Sequence, residues 1–265
     1  VLITGASSGI GKSTAELFQK QGWNVVATMR SPEKAIELAR MERVRCLRLD
    51  VTSPETIHQA IATAIADFGT IDAAINNAGY ALVGPFEAST PEQVRRQLDT
   101  NVIGLMNVTR AILPHFRDRG GGVLVNIASV GGRVTFPLYS VYHATKWAVE
   151  GFSESLHYEL EPFGIAVKLI EPGPIKTDFY DRSMDVMKKP GLTAYDDFGN
   201  RAIPNMQKAG TDGVAAEAVA KVIVRATTDG SKKMRYPINT KGMPFLRRFI
   251  PDGVFFSLIR RILLT

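Results

Sequence analysis

Short runs of uninterrupted apolar residues alternate along this chain with longer stretches in which apolar positions recur every three or four residues. The first pattern suits a strand buried on both faces, and the second a helix with one apolar stripe. Strands are predicted at Val1 to Ile3, Asn24 to Met29, Val44 to Leu49, Ile71 to Ile75, Gly122 to Ala128 and Ile165 to Ile170, with a late one near Met234 to Tyr236. Helices are predicted near Ile10 to Lys20, Glu33 to Arg40, Pro54 to Phe68, Pro91 to Arg117, Val141 to Glu161 and Gly213 to Thr228. Strand and helix taking turns in this way predicts an α/β fold: one doubly wound parallel sheet of about seven strands, with helices on both faces. No repeat, low-complexity tract or linker divides it, so residues 1–265 are expected to form a single domain.

Two stretches leave the rhythm. Residues 174–210 form a long insertion rich in Met, Phe and Tyr (Phe179, Tyr180, Met184, Met187, Tyr195, Phe198, Met206). Long insertions in compact domains are usually functional, and a mobile, partly helical substrate lid is expected here, a helix pair packed on the sheet edge being the alternative. The tail, residues 243–265, repeats apolar residues with paired arginines, and Pro251-Asp252-Gly253 interrupts it. That break favours an amphipathic cap over the cleft or against a partner subunit, with contact to a membrane interface as the second choice.

Composition narrows the class. With 45% hydrophobic and 22% charged residues in 265, the chain has the make-up of a soluble globular protein. The single cysteine, Cys46, excludes an intrachain disulfide framework and reads as an inert thiol on a buried strand. No apolar run reaches the ~18 residues that span a bilayer, so a cytoplasmic, reduced setting is expected. The sequence enters directly on a strand pattern, so a few residues are expected ahead of Val1, and the lack of a visible targeting segment weighs little. The net charge of +6 comes from short basic pairs without interleaved aromatics, which argues against a nucleic-acid partner and suits a phosphate-bearing ligand or a membrane surface. His58, His115, His143 and His157 do not cluster, so they are expected to be structural and no metal site is predicted.

Candidate chemistry begins at the end of the first strand. Thr4-Gly-Ala-Ser-Ser-Gly-Ile-Gly11 places glycines at 5, 9 and 11 just before a helix, where unpaired N–H groups and the positive dipole end suit a pyrophosphate. A Walker A reading of Gly11-Lys12-Ser13 fails, because Ala6 stands where that motif needs glycine. Arg30 ends the second strand, where an acidic residue would accept the ribose hydroxyls of NAD and an arginine instead pairs with a 2′-phosphate; NADP(H) is favoured and NAD(H) remains the alternative. Asp50, at the end of the third strand, is placed to accept from an adenine amino group, and Asn76-Asn77-Ala78-Gly79 follows the fourth. Carboxyl ends of parallel strands are where such sheets bind ligands.

Ser129, Tyr142 and Lys146 are the candidate reactive residues, spaced as Ser-x12-Tyr-x3-Lys, with a plain solvated helix face as the alternative for the Tyr-x3-Lys pair. Residues four apart share a helix face, so Tyr142 and Lys146 can meet over one ligand. A phenol ordinarily titrates near 10, and a neighbouring ammonium favours the phenolate, which makes the pair an acid-base device.

Taken together, Thr-Gly-x3-Gly-Ile-Gly at 4–11, Asn-Asn-Ala-Gly at 76–79, Asn101, Ser129, Tyr-x3-Lys at 142–146 and Pro172-Gly173 closely resemble the short-chain dehydrogenase/reductase family over nearly the whole chain. The stretches VVATMRSPEK and YHATKWAVEGFSESLHYEL further resemble its hydroxysteroid and retinol dehydrogenase branch. The resemblance implies a Rossmann-type fold. It implies that Tyr142 is the general acid in carbonyl reduction or the base in alcohol oxidation, and that Ser129 hydrogen-bonds the substrate oxygen. Lys146 would bind the nicotinamide ribose and depress the Tyr142 pKa, and Asn101 would hold a water in the proton relay. Cofactor contacts would run over Gly5, Ser7, Ser8, Gly9, Ile10, Gly11, Arg30, Asp50, Val51, Asn77, Ala78, Gly79, Tyr142, Lys146, Pro172, Gly173, Ile175 and Thr177, the last two near the carboxamide. A homodimer or homotetramer through the helices at 91–117 and 141–161 is likewise implied. The expected function is NADP(H)-dependent interconversion of an alcohol and a ketone or aldehyde on a lipophilic substrate such as a steroid, retinoid or aliphatic carbonyl. The alternatives are an NAD-preferring dehydrogenase of a small polar carbonyl and a regulator that binds NADP without turnover.

Overall fold

The computed structural model describes residues 1–176 and 184–264. Its centre is a sheet of seven parallel strands in the order β3-β2-β1-β4-β6-β7-β11: β1 (Leu2–Thr4), β2 (Val25–Met29), β3 (Val44–Arg48), β4 (Ala73–Asn76), β6 (Gly122–Ile127), β7 (Ile165–Pro172) and β11 (Arg235–Ile238). Between β4 and β6 lies the short β5 (Ala81–Val83), and β8 (Ile175–Lys176), β9 (Met184–Val186) and β10 (Val214–Ala215) complete the strands among the described residues. The helices are α1 (Gly9–Lys20), α2 (Ile36–Ala39), α3 (Pro54–Phe68), α4 (Pro91–Leu98), α5 (Gly104–Asp118), α6 (Ser140–Leu160), α7 (Asp196–Thr211), α8 (Ala216–Thr228), α9 (Met243–Phe249) and α10 (Asp252–Leu263).

Period-two side-chain alternation divides the core into two layers. Ile3, Val25, Ala27, Ile75 and Val125 face one way and pack with Phe18 of α1 and Val219 and Ile223 of α8. Leu2, Val26, Ala74, Leu124 and Val167 face the other and pack with Ile57 and Ile61 of α3, Ile112 and Phe116 of α5, and Leu156 of α6. Both faces of the sheet are thereby kept from water, which is why its strands carry continuous apolar runs. The chain runs outward from β1 to β3 and then returns to β4 on the other side of β1. This reversal opens a crevice at the carboxyl ends of β1 and β4, where open parallel sheets receive ligands.

Three elements differ from the sequence reading. The helix expected over Pro91 to Arg117 is two helices, α4 and α5, joined by a π-helical turn at Asp99–Ile103. The helix expected over Glu33 to Arg40 is a 3-10 turn at Pro32–Lys34 followed by the four-residue α2, because Pro32 starts a turn that Ala35 ends with a non-helical backbone. Cys46 is half-buried rather than a core thiol, since β3 is an edge strand.

Within the segment expected as a lid, β9 pairs with β5, α7 supplies the helical part, and Met187 and Met206 point into apolar clusters. Thr177, Phe179 and Tyr180 lie outside the described residues.

Candidate active site

The turn from β1 into α1 forms the floor of the crevice. Gly5 has a φ of +66° and Gly9 one of +52°, values that favour glycine. A Cβ on Gly11 would lie 2.3 Å from the Gly5 carbonyl oxygen and 2.6 Å from Asn77 Nδ2, so the turn closes on itself with no room for a side chain. Ser8, at the N-cap of α1, makes no side-chain capping bond, which leaves the first-turn amides available to an anion. Ser7 is exposed beside it, and Ile10 is half-buried.

Thr4 and Asn77 lock this turn to the end of β4. Thr4 Oγ1 accepts from the Asn77 and Ala78 amides at 3.0 and 3.1 Å. Asn77 Nδ2 donates to the Thr4 and Gly5 carbonyls at 2.9 and 3.0 Å. The Asn77 side chain is therefore spent on fixing the glycine turn, and a ligand would meet the rim of backbone that it holds in place. Asn76 points inward, donating to Asn126 Oδ1 at 2.9 Å and Thr109 Oγ1 at 3.1 Å.

Arg30 is exposed at the end of β2 and forms no ion pair among the described residues. Asp50 uses Oδ1 to accept from the Thr52 amide at 2.9 Å and the Thr52 hydroxyl at 2.7 Å, which fixes its carboxylate just beyond the carboxyl end of β3. Val51 is buried, and its side chain occupies the space above Gly104.

The π-helical turn presents Asn101. Its Oδ1 accepts from the Tyr80 amide at 3.0 Å, while Nδ2 donates to the Tyr80 carbonyl at 2.8 Å and to Thr145 Oγ1 at 3.2 Å. One buried amide thus ties α6 to the loop after Gly79, and a Cβ on Gly79 would come within 3.1 Å of Asn101 Oδ1. Such turns insert one extra residue and leave local carbonyls without their usual helical partners, which is why they recur at functional positions.

Ser129 follows β6. Its hydroxyl accepts from the Gly131 amide at 3.0 Å and donates to the Pro172 carbonyl at 3.4 Å, so it bridges the ends of β6 and β7. Gly173 donates its amide to the Ile238 carbonyl at 2.8 Å, and Ile175 is buried in β8. Thr177 is outside the described residues.

Tyr142 and Lys146 lie on one face of α6, with Lys146 Nζ 5.7 Å from the Tyr142 ring centroid. Nζ donates to the Ile127 carbonyl at 2.8 Å. Burial lowers the Lys146 ammonium to about 8, and the charge of Glu150 partly opposes that fall. Tyr142, Lys146, Ser129, Asn101 and the glycine turn therefore gather at the carboxyl ends of β1, β4, β6 and β7.

His143 is a bracket. Nε2 accepts from the Phe136 amide at 2.8 Å, so Nδ1 carries the proton and donates to the Gly131 carbonyl at 2.8 Å. Burial lowers its pKa, which keeps the ring neutral and the Ser129 loop pinned to α6.

A charged cluster behind this site escaped the sequence reading. Glu150, one turn beyond Lys146, and Glu171, just before Pro172, are both buried carboxylates. Arg235 Nε lies 3.2 Å from Glu150 and 3.3 Å from Glu171, Arg133 reaches Glu171 at 3.3 Å, and Arg235 NH2 meets the exposed Glu154 at 2.8 Å. Burial and then repulsion from Glu171 push Glu150 up to about 7, against the pull of Arg235 and Arg133. Burial likewise raises Glu171. The signal in the sequence was a glutamate closing the apolar run Ile165 to Ile170.

A carboxyl whose folded pKa lies above its unfolded one binds a proton in the native state that the unfolded chain has released. Its contribution is therefore full below the unfolded value of 4.5, falls as pH rises toward about 7, and is absent above that. Glu150→Gln is expected to be more stable than wild type at pH 8 by about 1–2 kcal/mol and to lose that advantage at pH 5. Denaturant melts at the two pH values check this, and a constant offset would contradict it.

Comparison with known proteins decides the family. The family described as short chain dehydrogenase matches residues 1–187. The chain belongs to the short-chain dehydrogenase family. This short-chain dehydrogenase is 36% identical over 277 residues to the uncharacterised oxidoreductase YusZ of Bacillus subtilis, covering 100% of this chain and 98% of the relative. It is 42% identical over 181 residues to the 3-ketodihydrosphingosine reductase of Bacteroides thetaiotaomicron, covering 68% of this chain and 65% of that protein. Among solved structures, a short-chain dehydrogenase from Streptomyces avermitilis superposes with a TM-score of 0.83 at 35% identity, over 97% of this chain and 94% of the other. The closed form of serine dehydrogenase, complexed with NADP+, gives 0.75 at 28% identity, over 89% and 93%. The chain is an oxidoreductase that uses a nicotinamide cofactor and acts on CH–OH groups. Among the described residues no group of His, Cys, Asp and Glu could hold a metal ion.

Proposed function

We propose that this dehydrogenase interconverts a lipophilic alcohol and its ketone or aldehyde with NADP(H), using Tyr142 as the proton donor and acceptor. The observation that carries the reading is the meeting of Tyr142 and Lys146 on one face of α6, beside Ser129 and Asn101, at the mouth of the β1–β4 crevice. The crevice suits a dinucleotide: its glycine turn excludes any side chain, and the amides of α1 lack a side-chain cap. Gly5, Ser7, Ser8, Gly9, Ile10 and Gly11 would hold the pyrophosphate, Arg30 a 2′-phosphate, and Asp50 and Val51 the adenine. Ala78 and Gly79 would follow the ribose, and Pro172, Gly173, Ile175 and Thr177 the nicotinamide. The bound nicotinamide supplies or accepts the hydride.

The chain's residues do the rest. Ser129 orients the substrate oxygen with its hydroxyl, and Tyr142 passes its proton to that oxygen as negative charge develops there. Lys146, anchored on the Ile127 carbonyl, holds positive charge beside the phenol and stabilises the phenolate left behind. Asn101, carried on the π-helical turn, would hold the relay water that refills Tyr142.

Two observations support a lipophilic substrate. Val130 and Val134, in the loop after Ser129, pack with Ala202 and Met206 of α7 and Phe255 of α10, so the site is roofed by apolar side chains. The Bacteroides relative is named 3-ketodihydrosphingosine reductase. The described residues of the expected lid, Met187 and Met206 among them, would close over this pocket. Initial rates with ketones of increasing chain length are expected to rise in kcat/KM with length; a flat or falling series overturns the lipophilic reading.

Cofactor choice rests on Arg30. Arg30→Asp is expected to raise the NAD(H):NADP(H) ratio of kcat/KM by about two orders of magnitude, since it exchanges a charge-assisted pair for repulsion. An unchanged ratio contradicts the assignment. The exposed Leu98 of α4, Ile103 of the π-helical turn and Trp147 of α6 support a homo-oligomer through the segments 91–117 and 141–161.

A further inference from the structure

The tail, far from ending as a neat cap, carries a second surface. Its inner side is accounted for: Phe255, Ile259 and Leu263 of α10, one turn apart, are buried against Ala202 and Met206 of α7 and against Val130 and Val134. Its outer side is not. Phe245 is 72% exposed, Phe249 66%, and Val254 and Ile262 57% each, with Leu246, Phe256 and Leu258 also exposed. On α10 the residues Val254, Leu258 and Ile262 recur every fourth position, so they form a stripe beside the buried one. On α9 Phe245 and Phe249 stack with ring centroids 4.7 Å apart. A globular surface scatters single apolar side chains; two consecutive helices with unpartnered apolar ridges mark an interaction site.

The charges around these ridges choose the partner. From Met243 to Leu264 there are four arginines against one aspartate, a net charge of +3. Arg247 is turned inward, paired with Asp252 at 2.7 Å and stacked 5.0 Å from the Phe255 ring centroid, so it welds α9 to α10. Arg248, Arg260 and Arg261 are exposed. A second copy of this chain is a poor occupant, because a two-fold contact would set these arginines against their own equivalents. An anionic lipid surface complements them, and its acyl boundary takes the phenylalanines. Spanning is excluded for these helices, since none described is long and apolar enough to cross a membrane.

We propose that α9 and α10 seat this protein on the interface of an anionic bilayer, with Phe245, Phe249, Val254, Leu258 and Ile262 in the headgroup–acyl boundary and Arg248 and Arg260 on the headgroups. The inner face of α10 packs on Val130 and Val134 in the loop after Ser129, so docking turns the substrate site toward the lipid phase. A lipophilic alcohol or ketone then enters from the membrane without crossing water. The docking itself does not depend on the proposed reaction, because binding is read without turnover.

The test is co-sedimentation of the full chain with vesicles of phosphatidylcholine alone or mixed with phosphatidylglycerol, in low and high salt. The wild type is expected to bind the phosphatidylglycerol vesicles and to be released by salt. Phe245→Asp with Phe249→Asp is expected to cut partition at least about tenfold, and Arg248→Gln with Arg260→Gln to remove the preference for phosphatidylglycerol. Both pairs are exposed, so turnover of a water-soluble carbonyl is retained. Should the aspartate pair fail to fold, the glutamine pair carries the test. Failure of the wild type to bind either vesicle overturns the proposal, as does binding undiminished by the substitutions. A shift from dimer to monomer on gel filtration in the aspartate pair, without vesicle binding, assigns the face to a second copy and overturns it too.

Discussion

Tyr142→Phe is expected to lower kcat for carbonyl reduction by about a thousandfold while leaving the dissociation constant of the cofactor within about twofold. The phenol ring stays and only its hydroxyl leaves, so packing against Tyr139, 5.8 Å away between ring centroids, and the 5.7 Å approach of Lys146 persist. What is lost is the proton that meets the developing charge on the substrate oxygen. Ser129 remains, its oxygen held by the Gly131 amide, and on turning its hydroxyl from the Pro172 carbonyl to the substrate it accounts for the residual rate. The measurement is steady-state reduction of a ketone panel together with cofactor binding followed by nicotinamide fluorescence. Retained activity across the panel would remove Tyr142 from the chemistry and favour a binding protein.

Gly11→Ala carries the second large effect. Its Cβ would meet the Gly5 carbonyl oxygen at 2.3 Å and Asn77 Nδ2 at 2.6 Å, distances no rotamer relieves because the opposing atoms belong to the backbone and to a side chain already bonded twice. Either the turn opens or Asn77 gives up its bonds to Thr4 and Gly5. The expected cost is about 2–3 kcal/mol of stability and about a hundredfold in cofactor affinity, since the amides aimed at the pyrophosphate move with the turn. Thermal melts with and without cofactor separate the two: wild type gains stability from the ligand, and the variant gains far less. An alanine variant that melts and binds like wild type would show that the turn is looser than its contacts require.

These two sites were legible in the sequence for different reasons. The glycine turn follows from local rules, because positive φ and close backbone approach leave a residue-type signature. Helical spacing places Tyr142 and Lys146 on one face, but their role came from the whole set of motifs that carries the family resemblance, since Tyr-x3-Lys alone also occurs on solvated helices. Strand and helix positions in the first two-thirds were legible from local pattern, since two-sided burial writes continuous apolar runs. The breaks were not. Nothing in Pro91 to Arg117 marks a π-helical turn, because its cause lies in the bonds of Asn101 to Tyr80 and Thr145, made by residues brought near only by folding. Cys46 was placed in the core because strand order, which makes β3 an edge, is a long-range property. The Glu150–Glu171 pair was missed for a related reason: its partners Arg133 and Arg235 come from a different loop and a different strand, and no local pattern joins them. Thr177 lies outside the described residues, so its assignment stays with the family resemblance.

We propose that Lys146 sets the proton affinity of Tyr142. Burial brings the ammonium down to about 8 against the opposing charge of Glu150, and its bond to the Ile127 carbonyl holds it in place beside the phenol. The direct measurement is an NMR titration of the ring carbon bearing the Tyr142 hydroxyl, in cofactor-bound wild type and in Lys146→Met. Wild-type Tyr142 is expected to titrate well below the ordinary tyrosine value of about 10, and the methionine variant to return toward it. Identical titrations in the two proteins, at the ordinary value, would contradict it.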